Sequence, residues 1–517
     1  MSNSVIIIGA GPGGLATAKA MLDEGLTPLV LEASDNVGGQ WHVTAEHSGI
    51  WQNMPTNTSR ATTVFSDLPH QASTRMFPKA TEIDAYLRKY TDIFNLTPHI
   101  KLNHRVVGVV QTTDGFTLKV NVNGELTQFT ASQLVVASGR YSKAQMPAIE
   151  GLNTFTGTAI HAFDFDDPAR FSGQKVLTLG NSISGLEIAA ELAKDDTNQV
   201  VSACRKPRYI IQKSKNDVPA DWRWFNRAAM FIGKTLPPEA ASAGLAEQVL
   251  ALHGNPADYG GLAPSQNMME AGIGQCQDYL PLVAKSRIRC QNMPTRISGR
   301  EVSFPDGTTE SFDAIIAGTG YTLNLPYLSE ALLNKVNADD QNLDLFAYTF
   351  APAVPNLAFI GQFALIGPYF PALELQGRLT SMVFTDRLTL PEHSAMQAAA
   401  NTFHELASAG VPLLYHDAVT DLAVVAEVEP KLADYPTLAA ELVFGPIIPA
   451  QFRLSGHGAH VDGEARLHEA LASLGRSPAS PQAEQLGLLH MLAGTETPWN
   501  GVLEALNIFE HAAAQAR

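Results

Sequence analysis

Two glycine-rich turns contain the residue types and spacings best suited to chemistry. In the first, Gly9-x-Gly11-x-x-Gly14 follows a β-branched run, and Glu32 closes the next apolar run. The first glycine permits a tight turn, the second lets backbone N–H groups reach a pyrophosphate, and the third allows close helix packing. Glu32 can accept hydrogen bonds from ribose hydroxyls and would repel a 2′-phosphate, so this turn favours FAD or NAD.

The second turn, Gly180-Asn181-Ser182-Ile183-Ser184-Gly185, departs from this pattern at its middle position. The Cβ of Ser182 obstructs the closest approach of a phosphate, but the hydroxyls of Ser182 and Ser184 can donate to phosphate oxygens at a helix N-terminus. We therefore expect a dinucleotide here in a shifted pose, contacted by Gly180, Ser182, Ser184 and Gly185.

Basic residues follow the second turn where the first is followed by an acid. The next apolar run ends at Arg205 and Lys206, with Arg208 shortly after. Guanidinium and ammonium groups suit a 2′-phosphate, so the second unit favours NADPH over NADH, with Arg205 and Lys206 as its ligands. A solvated basic loop without a ligand is the alternative interpretation.

The elements around both turns predict the same local fold. The chain twice shows the order strand, helix, strand, at Ser4–Ile8, Leu15–Leu22 and Pro28–Leu31 and again at Lys175–Leu179, Leu186–Leu192 and Gln199–Cys204. Gln133–Ser138 and Asp313–Ala317 predict further buried strands, after which we expect the chain to cross between domains. The sequence thus predicts an α/β fold with two Rossmann-like dinucleotide-binding domains.

The first of these domains is expected to be interrupted by the second. We predict an FAD-binding domain in two parts, residues 1–165 and 319–393, an NADPH-binding domain at 166–318, and a mostly helical C-terminal extension at 394–517. Pro237–Leu252 predicts an amphipathic helix inside the segment 213–286, whose role the pattern does not reveal. Ser477–Gln482 is rich in serine and proline and predicts a linker.

Composition narrows the possible partners and compartments. The formal net charge of the 517 residues is -16, which argues against nucleic-acid binding. No apolar run reaches the length of a membrane span, so we expect no membrane association. Cys204, Cys276 and Cys290 form no C-x-x-C pair, which favours a reducing cytoplasm and excludes a dithiol redox centre. A homodimer is left open.

Two dinucleotide sites with different ribose preferences imply hydride transfer from a nicotinamide to a bound flavin. Because the chain lacks a dithiol acceptor, O₂ or a small organic molecule remains as the final acceptor of the electrons. We therefore expect O₂ and a small-molecule substrate as the partners of the enzyme.

A third motif, Phe155-x-Gly157-x-x-x-His161-x-x-x-Phe165, resembles the signature of flavin-containing monooxygenases and stands between the two nucleotide units, as it does in that family. Further segments are similar to family segments and occur in family order: Gly38–Trp41, Thr56–Ser59, Phe65–Asp67, Thr319–Tyr321, Phe359–Gln362, Tyr415–Asp417, Phe444–Pro446 and Gln451–Leu454. The resemblance covers most of the chain, and we expect the chain to lack the membrane-anchoring tail of the longer, animal-like members.

The resemblance implies a mechanism and its residues. NADPH reduces FAD, NADP⁺ stays bound, and O₂ adds to give a C4a-hydroperoxyflavin that oxygenates a soft nucleophile, such as an amine nitrogen or a sulfide sulfur. Asn57 matches the family's active-site asparagine, whose amide donates a hydrogen bond without titrating; an ordinary turn at Thr56–Thr58 is the alternative interpretation. The expected FAD contacts are Gly9, Gly11, Gly13, Gly14, Glu32, Gly39, Gln40, Trp41, Thr58, Val106, Gly361 and Gln362.

Three other functions remain open. A Baeyer–Villiger enzyme would use the same intermediate on ketones, but its signature ends in Trp-Pro where this chain has Phe165-Asp166, and ketone-oxidising relatives often carry His at the position of Asn57. An N-hydroxylase of amines or amino acids is excluded only weakly. A non-catalytic flavin redox sensor is opposed by the presence of Asn57 together with both nucleotide motifs.

Several histidines and tryptophans have a structural interpretation beside the functional one. We expect His161 to stabilise the linker between the domains rather than to act as an acid or base. His457 and His460 have no third ligand nearby, so no metal is predicted. Trp51, Trp222 and Trp224 could line a substrate pocket, but core packing is the preferred interpretation.

Overall fold

The computed structural model describes residues 4–42, 49–476 and 481–515. Its larger sheets are parallel, and the glycine-rich turns lie at the carboxyl ends of their central strands. The described strands are β1 (Val5–Ile8), β2 (Pro28–Leu31), β3 (Ile100–Lys101), β4 (His104–Thr112), β5 (Gly115–Val122), β6 (Glu125–Ala131), β7 (Gln133–Val136), β8 (Lys143–Ala144), β9 (Thr158–His161), β10 (Lys175–Leu179), β11 (Gln199–Cys204), β12 (Tyr209–Ile211), β13 (Ser214–Lys215), β14 (Val218–Pro219), β15 (Ile273–Gln275), β16 (Ile288–Asn292), β17 (Arg296–Ser298), β18 (Glu301–Ser303), β19 (Thr309–Ser311), β20 (Ala314–Ala317), β21 (Tyr321–Thr322), β22 (Leu357–Phe359), β23 (Leu365–Ile366) and β24 (Leu413–Leu414).

Helices cover both large sheets and form most of the C-terminal part. The described α-helices are α1 (Pro12–Asp23), α2 (Ala80–Ile93), α3 (Ile183–Leu192), α4 (Ala220–Trp224), α5 (Arg227–Thr235), α6 (Pro238–His253), α7 (Met268–Ala271), α8 (Tyr279–Ala284), α9 (Glu330–Lys335), α10 (Phe370–Phe384), α11 (His393–Ser408), α12 (Tyr415–Val425), α13 (Ala439–Phe444), α14 (Gly463–Ser473), α15 (Ala483–Ala493) and α16 (Asn500–Gln515). No helix in the described ranges is both long and apolar enough to cross a membrane.

The first large sheet is assembled from distant parts of the chain. Its strands are parallel and follow the order β22-β7-β1-β2-β3. All four residues of β1 are buried because helices α1 and α10 cover one face and the antiparallel sheet β4-β5-β6 packs near the other. Since β22 follows every strand of the second large sheet in the chain, the first domain is completed only after the second one has been inserted.

The second large sheet follows the order β16-β11-β10-β20-β9 and is also parallel. Edge strand β9 precedes the predicted limit at residue 165, and its residues Thr158–His161 pair with β20, which satisfies their backbone groups. The predicted crossovers follow β7 and β20, and the short strands β8 and β21 that come next pair with each other. This two-stranded link joins the two domains.

The C-terminal extension is mostly helical, as predicted. Helix α12 packs on α10 of the first domain, and the helices from α13 onward share a core with α4 and α5 of the inserted domain. Helix α6 matches the predicted helix to within one residue at each end, but it buries only Val249 and His253. Residues 477–480 of the predicted linker lie outside the described residues. The fold class predicted from the sequence is confirmed.

Candidate active site

The first glycine turn cannot tolerate side chains at two of its positions. Gly9 has a φ of +101°, and a Cβ there would lie 2.7 Å from the carbonyl oxygen of Ala137. A Cβ on Gly14 would lie 1.9 Å from the carbonyl oxygen of Gly9. Gly13 is restricted by a side chain, because its Cβ would approach Ile360 at 2.8 Å. These contacts explain why the tight turn into α1 requires glycine.

A second backbone segment faces this turn. Gly38 donates its N–H to the carbonyl oxygen of Ala10 at 3.0 Å, and a Cβ on Gly39 would lie 2.9 Å from the Cα of Gly11. Gly39 begins a short 3₁₀ turn, Gly39–Trp41, in which Gln40 is exposed and Trp41 is half-buried. The backbone around Gly38 and Gly39 thus packs against the first glycine turn at the N-terminus of α1. Because these residues lack side chains, they leave room there for a pyrophosphate.

Glu32 is buried and held in place by the protein itself. Its carboxylate accepts hydrogen bonds from the N–H of Ala10 at 2.6 Å and from the N–H and hydroxyl of Ser34 at 2.8 and 2.9 Å. A carboxylate offers about four acceptor positions, so room remains for one ribose hydroxyl. Val106, on β4, is buried in the core beneath the sheet, next to a β-bulge between Val106 and Gly108.

Gln362, shortly after β22, has a buried side-chain amide without a hydrogen-bond partner among the described residues. Gln362 is 1% exposed, and both polar atoms of its side chain lack hydrogen-bond partners among the described residues. Leaving such a group unpaired is unfavourable, so Gln362 fits contact with a polar ligand. The adjacent N–H of Gly361 is already donated to Oε1 of Gln376 at 2.9 Å.

The sequence did not indicate a role for Gln376. It is fully buried on α10, and its amide also donates to the carbonyl oxygens of Tyr348 and Phe359. There was little sequence signal, because Gln376 is one of several polar residues in the helix Phe370–Phe384. Its hydrogen bonds fix the backbone that precedes Gln362.

Asn57 lies in a turn whose neighbours are fixed by hydrogen bonds. Thr56 donates its N–H to Pro78 at 2.8 Å, and its hydroxyl donates to the carbonyl oxygen of Thr58 at 2.8 Å. The hydroxyls of Thr58 and Thr63 lie 2.8 Å apart. Asn57 itself is half-buried, and its amide makes no hydrogen bond within the described ranges. The backbone is therefore held while the side chain is available to a ligand.

The inserted domain contacts this turn through a buried lysine. Lys213 is 2% exposed; its Nζ donates to the carbonyl oxygen of Pro55 at 3.4 Å and forms an ion pair of 3.2 Å with Glu187 of α3. Oε1 of Glu187 has no hydrogen-bond partner among the described residues, so its attraction to Lys213 is mainly coulombic. A single lysine after an apolar strand gives no sequence signal for such a contact.

The second glycine turn repeats the geometry of the first. Gly180 has a φ of +104°, and its Cβ would lie 2.4 Å from the carbonyl oxygen of Gly318. A Cβ on Gly185 would lie 2.1 Å from the carbonyl oxygen of Gly180. Ser182 is the exposed N-cap residue of α3, yet its hydroxyl does not cap the helix, and Ser184 is half-buried nearby. The hydroxyl of Ser182 is thus available to a phosphate oxygen.

The basic residues lie beside this turn. Arg205 and Lys206 are exposed at the end of β11, and the amide of Asn181 donates to the carbonyl oxygen of Lys206 at 3.0 Å. Arg208 lines an adjacent small cavity, where burial lowers the pKa of its guanidinium. Burial also raises the pKa of the Cys204 thiol in the same cavity to about 11, so this thiol stays protonated.

The Phe155–Phe165 motif is a junction between elements. A Cβ on Gly157 would lie 2.3 Å from the carbonyl oxygen of Asp313, and Phe165 packs edge-on against Trp51 with ring centroids 5.3 Å apart. His161 accepts the N–H of Phe163 at Nδ1 over 3.0 Å, and burial lowers the pKa of its imidazole. This environment supports the structural interpretation of His161.

The other tryptophans also pack in cores. Trp51 joins the core of the inserted domain, Trp222 joins the core shared with the C-terminal helices, and Trp224 packs against a neighbouring cluster. The core interpretation therefore describes all three residues.

The loop with the two remaining histidines attaches the C-terminal extension to the first domain. His457 contacts Glu24, and Nε2 of His460 lies 3.4 Å from Asp67. Arg453 bridges Asp67 at 2.9 Å and Glu374 at 3.1 Å. Burial alone would raise the pKa of Asp67, but Arg453 and Lys19 hold it below the usual value. Sequence reasoning missed this network.

Comparison with known proteins identifies the class. Over residues 2–470 the sequence matches the family described as FMO-like, flavin-binding monooxygenase-like, so the chain belongs to this family. The protein is therefore a flavin-binding monooxygenase, and the resemblance inferred from its motifs is confirmed.

One relative in sequence and two neighbours in fold illustrate these similarities. Mouse dimethylaniline monooxygenase (N-oxide-forming) 2 is 27% identical over 485 residues, which cover 89% of this chain and 90% of the relative. S-allyl-L-cysteine S-oxygenase from Allium sativum has a similar fold, with a TM-score of 0.61 at 21% identity over 91% of this chain and 98% of the other. Cyclohexanone monooxygenase from Rhodococcus sp. Phi1 gives a TM-score of 0.62 at 17% identity over 83% and 97%.

Proposed function

We propose that this monooxygenase uses NADPH and O₂ to oxygenate soft nucleophiles, either the nitrogen of amines or the sulfur of sulfides. In the overall reaction one oxygen atom of O₂ enters the substrate, and substrate, O₂, NADPH and one proton give the oxide, water and NADP⁺. The names of the mouse relative and the Allium neighbour support nitrogen and sulfur as the oxidised atoms. The unpaired cysteines fit a reducing compartment, for which we propose the cytoplasm.

We propose FAD as the flavin, held by the first domain. When bound, FAD accepts hydride from NADPH and activates O₂ for transfer of one oxygen atom. The N–H groups at the start of α1, between Gly11 and Gly39, would bind the pyrophosphate, Glu32 would accept from a ribose hydroxyl, and the amide of Gln362 would meet the flavin. The glycine-lined space and the amide of Gln362, which has no partner among the described residues, support this fit. The remaining proposed contacts are Gly9, Gly13, Gly14, Gln40, Trp41, Thr58, Val106 and Gly361.

The second domain would bind NADPH. Its proposed limits are those predicted from the sequence, extended to include β9. The start of α3, with Gly180, Gly185 and the hydroxyls of Ser182 and Ser184, would bind the pyrophosphate. Arg205 and Lys206 would bind the 2′-phosphate through charge-assisted hydrogen bonds.

The observation that carries the proposal is the environment of Asn57. Its amide is free of protein hydrogen bonds within the described residues, although the turn around it is fixed by Thr56 and contacts both domains. A fixed, neutral amide would donate a hydrogen bond beside the flavin without itself titrating. We assign this role to Asn57.

The test follows flavin absorbance after anaerobic reduction with NADPH and mixing with O₂. We expect the parent enzyme to give a long-lived, oxygen-dependent absorbance that amines and sulfides discharge with formation of their oxides. Removal of one preorganised donor typically slows catalysis by about 10²- to 10³-fold. For Asn57→Ala we therefore expect an absorbance lifetime shortened by about 100-fold, with the NADPH reduction rate unchanged.

Asn53→Ala is the matched control, because Asn53 is exposed in the same segment and its side chain hydrogen-bonds only Lys79 among the described residues. An unchanged lifetime in Asn57→Ala would refute the assigned role. Discharge by ketones alone, with ester as the product, would instead show Baeyer–Villiger activity.

A further inference from the structure

The segment that begins at Lys213 had no role assigned by its sequence pattern. The structure places part of it, helix α4, directly against the turn that follows Asn57. The residue that makes the contact is Asp221, which is 2% exposed. Its partner in the turn is Ser59, which lies in the other domain and far away in the sequence.

One carboxylate oxygen of Asp221 gathers three hydrogen bonds from the turn. Oδ2 accepts from the N–H of Ser59 at 3.2 Å, from the hydroxyl of Ser59 at 2.6 Å and from the hydroxyl of Thr62 at 2.7 Å. The indole of neighbouring Trp222 donates to the same Ser59 hydroxyl at 2.8 Å. Two adjacent residues of α4 thus hold a single serine.

These bonds determine the shape of the turn. The carbonyl oxygen of Ser59 accepts the N–H groups of Thr62 and Thr63, while its own N–H points out of the turn to Asp221. Asp221 therefore caps the turn in the way that an N-cap carboxylate caps a helix. Because Ser59 follows Asn57 by only two positions, a shift of Ser59 would move the Asn57 amide.

Burial and hydrogen bonding act in opposite directions on the Asp221 carboxyl group. Burial raises the pKa of its carboxyl group, and the bonds from Ser59 and Thr62 oppose that rise. Oδ1, the other oxygen, has no hydrogen-bond partner among the described residues. Burying a carboxylate costs free energy. We therefore expect the contacts of Asp221 to have a role beyond packing.

We propose that Asp221 is a positioning residue: from the inserted domain it fixes the Ser59–Thr63 turn and thereby the orientation of the Asn57 amide. This inference rests on the role of Asn57 in the proposed function. It explains why the inserted domain, which would bind NADPH, also contacts the turn beside the flavin.

The test combines Asp221→Ala with Asn57→Ala in the full-length enzyme. A misplacement of about 1 Å can slow a reaction by about 100-fold, so we expect a partial displacement in Asp221→Ala to shorten the oxygen-dependent absorbance lifetime about tenfold. The double variant should decay as fast as Asn57→Ala alone, because the two changes act through one amide. Asp344→Asn is the control, since Asp344 is also buried but lies in the first domain away from this turn.

Hydrogen exchange supplies a readout that needs no turnover. In the FAD-free protein we expect amide exchange of residues 59–63 to be faster in Asp221→Ala than in the parent or in Asp344→Asn. Thr62→Val removes one of the three hydrogen bonds with little change in shape, and should show smaller effects in the same direction. It keeps the test decisive if Asp221→Ala does not fold.

The outcomes separate the two proposals. If the parent forms the oxygen-dependent absorbance and Asp221→Ala and Thr62→Val leave its lifetime unchanged, the positioning role is wrong while the proposed function stands. If the effects of Asn57→Ala and Asp221→Ala multiply in the double variant, Asp221 acts independently of Asn57 and the inference is also overturned. A parent enzyme with neither absorbance nor oxidised product would contradict the proposed function itself, and the inference with it.

Discussion

The two glycine turns share a backbone and differ in what surrounds it. Gly9 and Gly180 have nearly equal φ values of +101° and +104°, and a Cβ on Gly14 or Gly185 would meet the preceding turn at 1.9 or 2.1 Å. The middle position of the first turn is Gly11, which faces Gly39, whereas the corresponding position of the second turn is the exposed Ser182. The two turns thus share the backbone conformation that the fold requires. They differ in the residues that would surround a bound nucleotide.

The residues that would contact the ribose also differ between the two turns, in burial and in charge. Glu32 is buried and bonded to Ala10 and Ser34, while Arg205 and Lys206 are exposed at the end of their strand. An enclosed, preorganised site favours a cofactor that stays bound, and an open, basic one favours a nucleotide that enters and leaves with each turnover. If the proposed function is correct, the same fold would bind a resident cofactor at one turn and an exchanging one at the other because the surroundings of the two turns differ.

The largest expected effects separate the two turns by cofactor. In Gly14→Ala the added Cβ must displace the backbone of Gly9, so we expect the purified protein to lose nearly all of its FAD. In Gly185→Ala we expect FAD to remain, while anaerobic reduction by NADPH slows by about 100-fold, the scale typical of a misplaced reactant. Flavin content and stopped-flow reduction measure the two effects.

The matched control for both is Gly244→Ala, because Gly244 lies in α6 with open space around its Cβ position. Loss of FAD in Gly185→Ala, with the fold intact, would remove the distinction between the turns.

A second, smaller effect sharpens the assignment of the basic loop. Hydrogen bonds to charged groups contribute about 1.5–3 kcal/mol, so Arg205→Ala should raise the KM for NADPH by about 10- to 100-fold. The KM for NADH should change little, because NADH lacks the 2′-phosphate. Lys285→Ala, an exposed lysine of the same domain, is the control. Equal changes for both nucleotides would contradict the 2′-phosphate role.

Sequence alone predicted these turns because their signals are local. The glycine spacing of the first unit and the basic residues after the second each fall within a single strand-helix-strand unit, and the strands and helices around them follow short periodicities. The structure places those residues together in each domain. Binding by them stays a prediction.

Contacts between domains could not be predicted in this way. Lys213 meets Pro55, Asp221 meets Ser59 and Arg453 meets Asp67, in each case between distant parts of the sequence, and each is a single polar residue in an ordinary local pattern. Whether such a residue is solvated or buried depends on which surface the other domain brings to it. Likewise β9 precedes the predicted domain limit and was placed in the second sheet only by its pairing with β20.

The smallest effect tests whether Ser182 compensates for the missing glycine. An N-cap serine replaced by alanine usually costs about 1 kcal/mol of stability, but the Ser182 hydroxyl caps nothing, so Ser182→Ala should leave the melting temperature unchanged. Loss of one hydrogen bond to phosphate, about 1 kcal/mol, should raise the KM for NADPH about fivefold. Ser182→Gly loses the same bond but lets the backbone approach the phosphate, so its KM should lie nearer the parent value. If Ser182→Ala binds NADPH as well as the parent, the hydroxyl does not donate to the phosphate, and the second turn binds through its backbone alone.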